Sequence, residues 1–182
     1  MTVWFSADLH LNHKNILGYC DRPFSSIEEM DETLINNWNS VVSSKDQVYF
    51  LGDLALGNHS KVTSYLDQLN GRIYLQEGNH DRTWFSKGFV DSRISILPPL
   101  YNLNINKQLF VLCHYPLSTW LRSYHGSINL HGHCHGNIGR INESEDRVIP
   151  ADKKRGKRID VGVDCWNYFP VSLEKILDFS NS

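Results

Sequence analysis

The sequence predicts an α/β domain in which two sheets face each other. Three observations predict it. The first half of the chain alternates apolar runs with amphipathic helical stretches in the order β-α-β-α-β, the mark of a mainly parallel sheet. The second half changes to a hairpin followed by short strands. Five apolar runs also stop at a residue able to bind a metal ion or move a proton, and in open α/β sheets ligands gather at the carboxyl ends of strands.

Residues 2–7 read as a central strand. Asp8 to Lys14 is a loop dense in Asp, His and Asn, with His13 and Lys14 just past its first ligand-type pair. Ile16 to Tyr19 makes a helical turn or two, and Asp21-Arg22-Pro23-Phe24 a tight turn. Ser26 and Glu29 have capping-box spacing. Ile27, Met30, Leu34, Ile35, Trp38 and Val41 follow at the helical period, a stripe that packs into a core. Val48–Leu51 is the second strand. Lys61 to Leu69 reads as a helix stopped by Asn70-Gly71, and Arg72–Gln76 as the third strand. Arg93 to Leu97 is a strand ended by Pro98-Pro99. Leu100–Ile105 and Gln108–Cys113 form a hairpin about Asn106-Lys107. Leu117 to Tyr124 is expected as a helix, Ile128–Leu130 and Ile159–Val163 as strands, and Ser172–Leu177 as a last helix. No repeat or linker divides residues 1–182.

The 182 residues suffice for one domain with a substantial core. Hydrophobic content of 41% and charged content of 21% are those of a globular protein. A net charge of −2 gives no global basic field for nucleic acid. No apolar run approaches the ~18–20 residues of a membrane span. Met1-Thr2-Val3-Trp4 enters a strand without a leader pattern, so a cytoplasmic location is expected. Cys20, Cys113, Cys134 and Cys165 show no C-x-x-C spacing and are expected as free thiols. Cys134 lies between two histidines and is expected to point away from them.

The strand ends carry the chemistry. Val3 to Ala7 leads into Asp8-Leu9-His10, Val48 to Leu51 into Gly52-Asp53, and Ile73 to Leu75 towards Gly78-Asn79-His80-Asp81. Leu109 to Cys113 leads into His114, and Ile128 to His131 into Gly132-His133-Cys134-His135. Each block alone is weak, since Asn-His-Asp after Gly is also ordinary turn chemistry. Asp, His and Asn together suit borderline divalent cations. The i, i+2 spacing of Asp8/His10 and of His133/His135 puts each pair on one side of an extended chain. Arg22 and Arg82 follow loops near these blocks and are candidate phosphate contacts. His131 is expected as a packed, hydrogen-bonded residue.

The five blocks, in this order over residues 8–135, resemble the signature of the calcineurin-like metallophosphoesterase superfamily. The resemblance implies an α/β sandwich of two mixed β-sheets with flanking helices. It implies two divalent metal ions, Mn first, with Fe, Zn, Ni or Mg as alternatives. Asp53 would bridge them, with Asp8, His10 and His135 on one ion and Asn79, His114 and His133 on the other. In-line attack by a metal-bridging hydroxide would follow, with His80 as the general acid. Asp8, Asp53 and Asp81 are all candidates to orient His80.

Two departures narrow the family. Gly52-Asp53-Leu54-Ala55-Leu56-Gly57 lacks the second Asp and the Arg of the Ser/Thr protein phosphatases, and Asp81 stands where they have Glu. The chain instead resembles small prokaryotic and phage-type members, in which pieces like Asp8 to Ile16 and Asp160 to Trp166 recur. The second piece is expected to be structural, shaping a cleft wall. The expected substrate is a phosphodiester of a nucleotide or small nucleic acid, with a phosphomonoester or nucleotide pyrophosphate as alternatives. The run Lys153 to Arg158 is either a phosphate grip or a solvated loop diluted by Glu143, Glu145, Asp146 and Asp152. A protein-interaction scaffold on the same fold is the rival class, and the filled ligand positions argue against it. The sequence leaves homo-oligomerisation open.

Overall fold

A computed structural model describes residues 1–85, 92–137 and 156–181. Its strands are β1 (Val3–Ser6), β2 (Gln47–Phe50), β3 (Arg72–Leu75), β4 (Ile94–Ile96), β5 (Leu100–Ile105), β6 (Gln108–Cys113), β7 (Ile128–His131), β8 (Arg158–Asp160) and β9 (Val171–Ser172). Its helices are α1 (Ile16–Tyr19), α2 (Ile27–Val41), α3 (His59–Leu66), α4 (Arg82–Phe85) and α5 (Leu173–Asn181). One sheet has the order β4-β3-β2-β1-β9, parallel except for β9. The other has the order β5-β6-β7-β8, parallel except for β5. Both sheets are therefore mixed, and helices flank them, as the sequence predicts.

Strand alternation explains why the first sheet is apolar on both faces. Val48, Phe50, Ile73 and Leu75 point to one side and pack with Met30, Leu34 and Trp38 of α2 and Val62 and Leu66 of α3. Phe5, Tyr49 and Leu51 point to the other side and meet Phe110, Leu112 and Leu130 of the second sheet. The Phe5 ring lies 5.8 Å from Phe110 across the sandwich and 5.7 Å from Tyr49 beside it. Two cores thus clamp β1, β2 and β3, whose carboxyl ends are held still.

Local chemistry sets the ends of the elements. Ser26 caps α2 by accepting the Glu29 amide at 3.1 Å. The Glu29 carboxylate in turn accepts from the Ser25 amide and hydroxyl. Asn58 accepts the Lys61 amide at 3.0 Å, so α3 begins at His59, earlier than periodicity predicts, and its regular part ends at Leu66. The Asn106-Lys107 turn has φ of 51° and 68°, the left-handed pair that a tight hairpin needs. Strand β8 stops at Asp160, because Gly162 leaves it to bridge Ala7 of the other sheet.

The helix expected over Leu117 to Tyr124 does not form. Arg122 turns left-handed at φ 59°, and only a 3₁₀ turn, Ser123–His125, follows. The Leu117 amide donates to the Asn129 side chain, and the Leu121 carbonyl accepts the Ser127 hydroxyl. Leu121 and Tyr124 mimic the helical period yet are 54% and 43% exposed, so no core rewards a helix there.

Asp46 locks the start of the sandwich. Its carboxylate accepts the amides of Thr2 at 2.6 Å and Ser43 at 2.9 Å, and these donors hold its pKa down at about 2. A carboxylate depressed in this way adds stability above its ordinary range near 3.8, and that stability fades as pH falls towards 2. Asp46→Asn is expected to lower Tm at pH 7, with the gap from the parent narrowing as the pH approaches 3. Thermal unfolding followed by circular dichroism checks this. A pH-independent gap would assign the effect to packing instead.

Candidate metal centre

The loops after β1, β2, β3 and β7 line one pocket of about 280 Å³, and His114 after β6 reaches the Asp53 that lines it. Backbone bonds zip the first two ligand loops together: Asp8 N–H donates to Gly52, His10 to Asp53 and Leu11 to Leu54, each at 3.0 Å. Asp81 pins the third. It is fully buried and accepts the amides of Asp53 at 2.7 Å, Leu54 at 2.9 Å and Gly78 at 2.9 Å. Burial pushes its carboxyl up to about 7 despite these donors. Gly78 and Gly132 are glycines of necessity, because a Cβ on Gly78 would collide with Asp53 and one on Gly132 would lie 2.6 Å from the Asp8 carboxylate.

Asp8, His10, Asp53, His133 and His135 all have positive φ, between 48° and 71°. The extended geometry that the i, i+2 spacing suggests is therefore not what aims these side chains. Left-handed residues, rare outside Gly and Asn, turn them inward at a cost of about 1–3 kcal/mol each. The hydrogen-bonded loops hold that strain in place.

Asp53 lies at the middle. Its Oδ1 accepts the His80 amide at 2.8 Å. Its Oδ2 lies 3.6 Å from His10 Nε2 on one side and 3.5 Å from His114 Nε2 on the other. Asp8, His10 and His135 can bring one ligand atom each within 4.8 Å of one another, and so can Asp53, His114 and His133. Asn79 Oδ1 is 3.0 Å from His114 Nε2. His114 turns its Nδ1 to the Leu51 carbonyl at 2.7 Å, which leaves Nε2 for the pocket.

The donor set fits a cation. Asp8 Oδ1 and His10 Nε2 are buried without a hydrogen-bond partner, an arrangement that is unfavourable unless something positive completes it. Burial, then the neighbouring Asp160 and Asp53, push the Asp8 carboxyl well up in the ion-free chain. Burial, then repulsion from His135, pushes His10 well down, which gives the neutral imidazole that metals bind.

A family model, calcineurin-like phosphoesterase, matches residues 1–172. The chain belongs to that family. It is a metal-dependent hydrolase of phosphate esters, and the His/Asp groups described above are its candidate ion ligands. This phosphoesterase is 41% identical to an uncharacterized protein of Methanocaldococcus jannaschii, over 96% of this chain and 89% of that one. It is 27% identical to the Gene 66 protein of Mycobacterium phage L5, over 98% and 94% of the two chains. A crystal structure of a protein of unknown function from Aquifex aeolicus shares the fold, with a TM-score of 0.71 at 22% identity and 98% coverage of both chains.

Not every sequence expectation about this phosphoesterase lands in the pocket. Arg22, offered as a phosphate contact, is buried behind the ligands, and its guanidinium is spent on Asp164 and on the carbonyls of Asp8 and Leu9. Arg82 starts α4 on the exposed surface and is not among the residues lining the pocket. Asp81 does not orient His80, because its oxygens hold backbone amides. Among the described residues no carboxylate makes a hydrogen bond to the His80 ring, which instead lies 5.1 Å from the rings of both His10 and His13. His13 is buried and lines the pocket, while Lys14 is exposed.

Asp164 is the residue that sequence reasoning missed. It lies in the stretch assigned to a cleft wall, yet its Oδ2 accepts from His135 Nδ1 at 2.7 Å. The one available signal was a carboxylate inside the recurring Asp160–Trp166 piece. All four cysteines are free thiols. Cys134 joins none of the candidate ligand groups among the described residues, whereas Cys20 stands near His135 and Asp164. His131 is buried, with Nδ1 on the Gly132 carbonyl at 2.9 Å, in line with a packing role. Lys153, Lys154 and Arg155 of the 153–158 basic run lie outside the described residues, and Arg158 belongs to β8 and donates to the Leu117 carbonyl. Among the described residues no helix is long and apolar enough to cross a membrane.

Proposed function

We propose that this phosphoesterase cleaves phosphodiesters of nucleotides or short nucleic acids at a dinuclear centre, with Mn²⁺ as the first candidate ion. One observation carries the reading: Asp53 Oδ2 stands between His10 and His114, each about the same distance away, while Oδ1 is tied to the backbone. Asp53, Asp8, His10 and His135 would hold one ion, and Asp53, Asn79, His114 and His133 the other. Divalent cations held there supply Lewis acidity and a bound water acidified to a pKa of roughly 7.

The chain's own residues supply the rest. His80 lines the same pocket as the ligands, within reach of an ester bound there, and its backbone is fixed by Asp53. It protonates or stabilises the leaving oxygen. The pocket lining among the described residues includes histidines, Asn79 and Asn137 but no Lys or Arg. Tyr19, 73% exposed at the rim, offers a flat face to a base.

Chelator-stripped protein is expected to be inactive on bis-p-nitrophenyl phosphate and to regain activity with Mn²⁺. The same preparation should hydrolyse p-nitrophenyl phosphate more slowly. Activity that survives chelation, or a faster monoester reaction, overturns the reading. Assays across dinucleotides, cyclic nucleotides and short single strands then rank the natural class.

A further inference from the structure

We propose that Arg22 and Asp164 are positioning residues that together assemble the ligands of one ion only, the one served by Asp8, His10 and His135. The proposal rests on the dinuclear reading above. Its geometry is a single buried junction. The Arg22 side chain is fully buried, and its guanidinium forms a two-pronged pair with Asp164, Nε to Oδ1 and Nη2 to Oδ2, both at 2.8 Å. The remaining donors point the other way. Nη2 donates to the Asp8 carbonyl at 2.7 Å, and Nη1 to the Leu9 carbonyl at 2.9 Å.

Apart from an Nη1 contact with Met30 Sδ at 3.4 Å, each arm of this junction ends at or beside a ligand of the same ion. The Asp8 carbonyl belongs to a ligand residue held at φ 59°, and the Leu9 carbonyl precedes His10 at φ 52°. Asp164 receives the Nδ1 proton of His135, so the His135 Nε2 lone pair is the one left for a cation. A planar, five-donor cation is the one side chain able to make all these bonds at once, and lysine cannot.

The other half of the centre is built differently. His114 is oriented by the Leu51 carbonyl, and the Asp53 and Gly78 loops by Asp81. Arg22 makes no hydrogen bond to Asn79, His114 or His133. Asp53 is shared by the two halves, and Asp8 touches the other half through its bond from the His133 amide at 2.8 Å. A guanidinium withdrawn from solvent is costly unless fully paired, and here its pairing coincides with the ligand set of a single ion.

Titration of chelator-stripped protein with Mn²⁺, read by isothermal calorimetry beside the ion-free Tm, tests the proposal. The parent is expected to bind two ions per chain. Asp164→Asn is expected to bind one ion as the parent does and the other about 10- to 100-fold more weakly, the usual effect of removing an orienting partner. Arg22→Lys should show the same split. Asp164→Asn should add little to His135→Ala, which already lacks that ion, but should leave His114→Ala without a tight ion. A parent that binds fewer than two ions overturns the dinuclear reading and this proposal with it. A parent with two ions and an Asp164→Asn variant with two unchanged ions overturns only the positioning role. So does an equal weakening of both ions in step with a fall in ion-free Tm. Should Arg22→Lys fail to fold, the near-isosteric Asp164→Asn still decides.

Discussion

Asp53→Ala is expected to reduce diester hydrolysis by roughly a thousandfold or more, because removal of several kcal/mol of charge stabilisation at about 1.4 kcal/mol per decade has that effect. The loss has two sources that a second variant separates. Asp53 Oδ2 faces His10 and His114, while Oδ1 holds the His80 amide. Asp53→Asn keeps an oxygen for the His80 amide and removes the negative charge that would lie between the two proposed ions. If the charge is what matters, Asn should be nearly as inactive as Ala, and both should bind Mn²⁺ poorly in calorimetry. An Asn variant that retains parental turnover would remove the bridge from the mechanism.

His80→Ala should separate turnover from ion binding. Its ring packs against His10 and His13 and is not needed for either ligand set proposed above. The variant is expected to keep two ions per chain while kcat falls about 10²- to 10⁴-fold, the range typical for loss of a positioned acid. The fall should be smaller for p-nitrophenyl esters, whose leaving group needs little protonation, than for an alkyl or ribose leaving group. Paired measurements of bound Mn²⁺ and of kcat on two diesters check both halves. If the variant lost an ion, His80 would have to be counted among the ligands.

Sequence patterns reached the elements that obey simple periods. The α2 stripe from Ile27 to Val41, the three parallel strands and the Asn106-Lys107 hairpin are all where residue spacing predicts them, within a residue or two. Leu117 to Tyr124 misled because its apolar residues have helical spacing but no buried surface to face. The centre was legible as a set of residue types at strand ends, and those ends do meet. Their aim was not, since the left-handed backbone at Asp8, His10 and Asp53 comes from loop pairing across distant segments. Arg22 was misread for a related reason. An Arg in a turn looks like a surface cation until Asp164, 142 residues away, is seen to claim it.

The left-handed residues at the pocket also limit how this chain can be made hardier. Glycine at Asp8, His10, Asp53, His133 or His135 would relax the main chain, and each such exchange would delete a donor atom. Heat tolerance must therefore be sought at a distance, for instance among the exposed residues of α2 and α3.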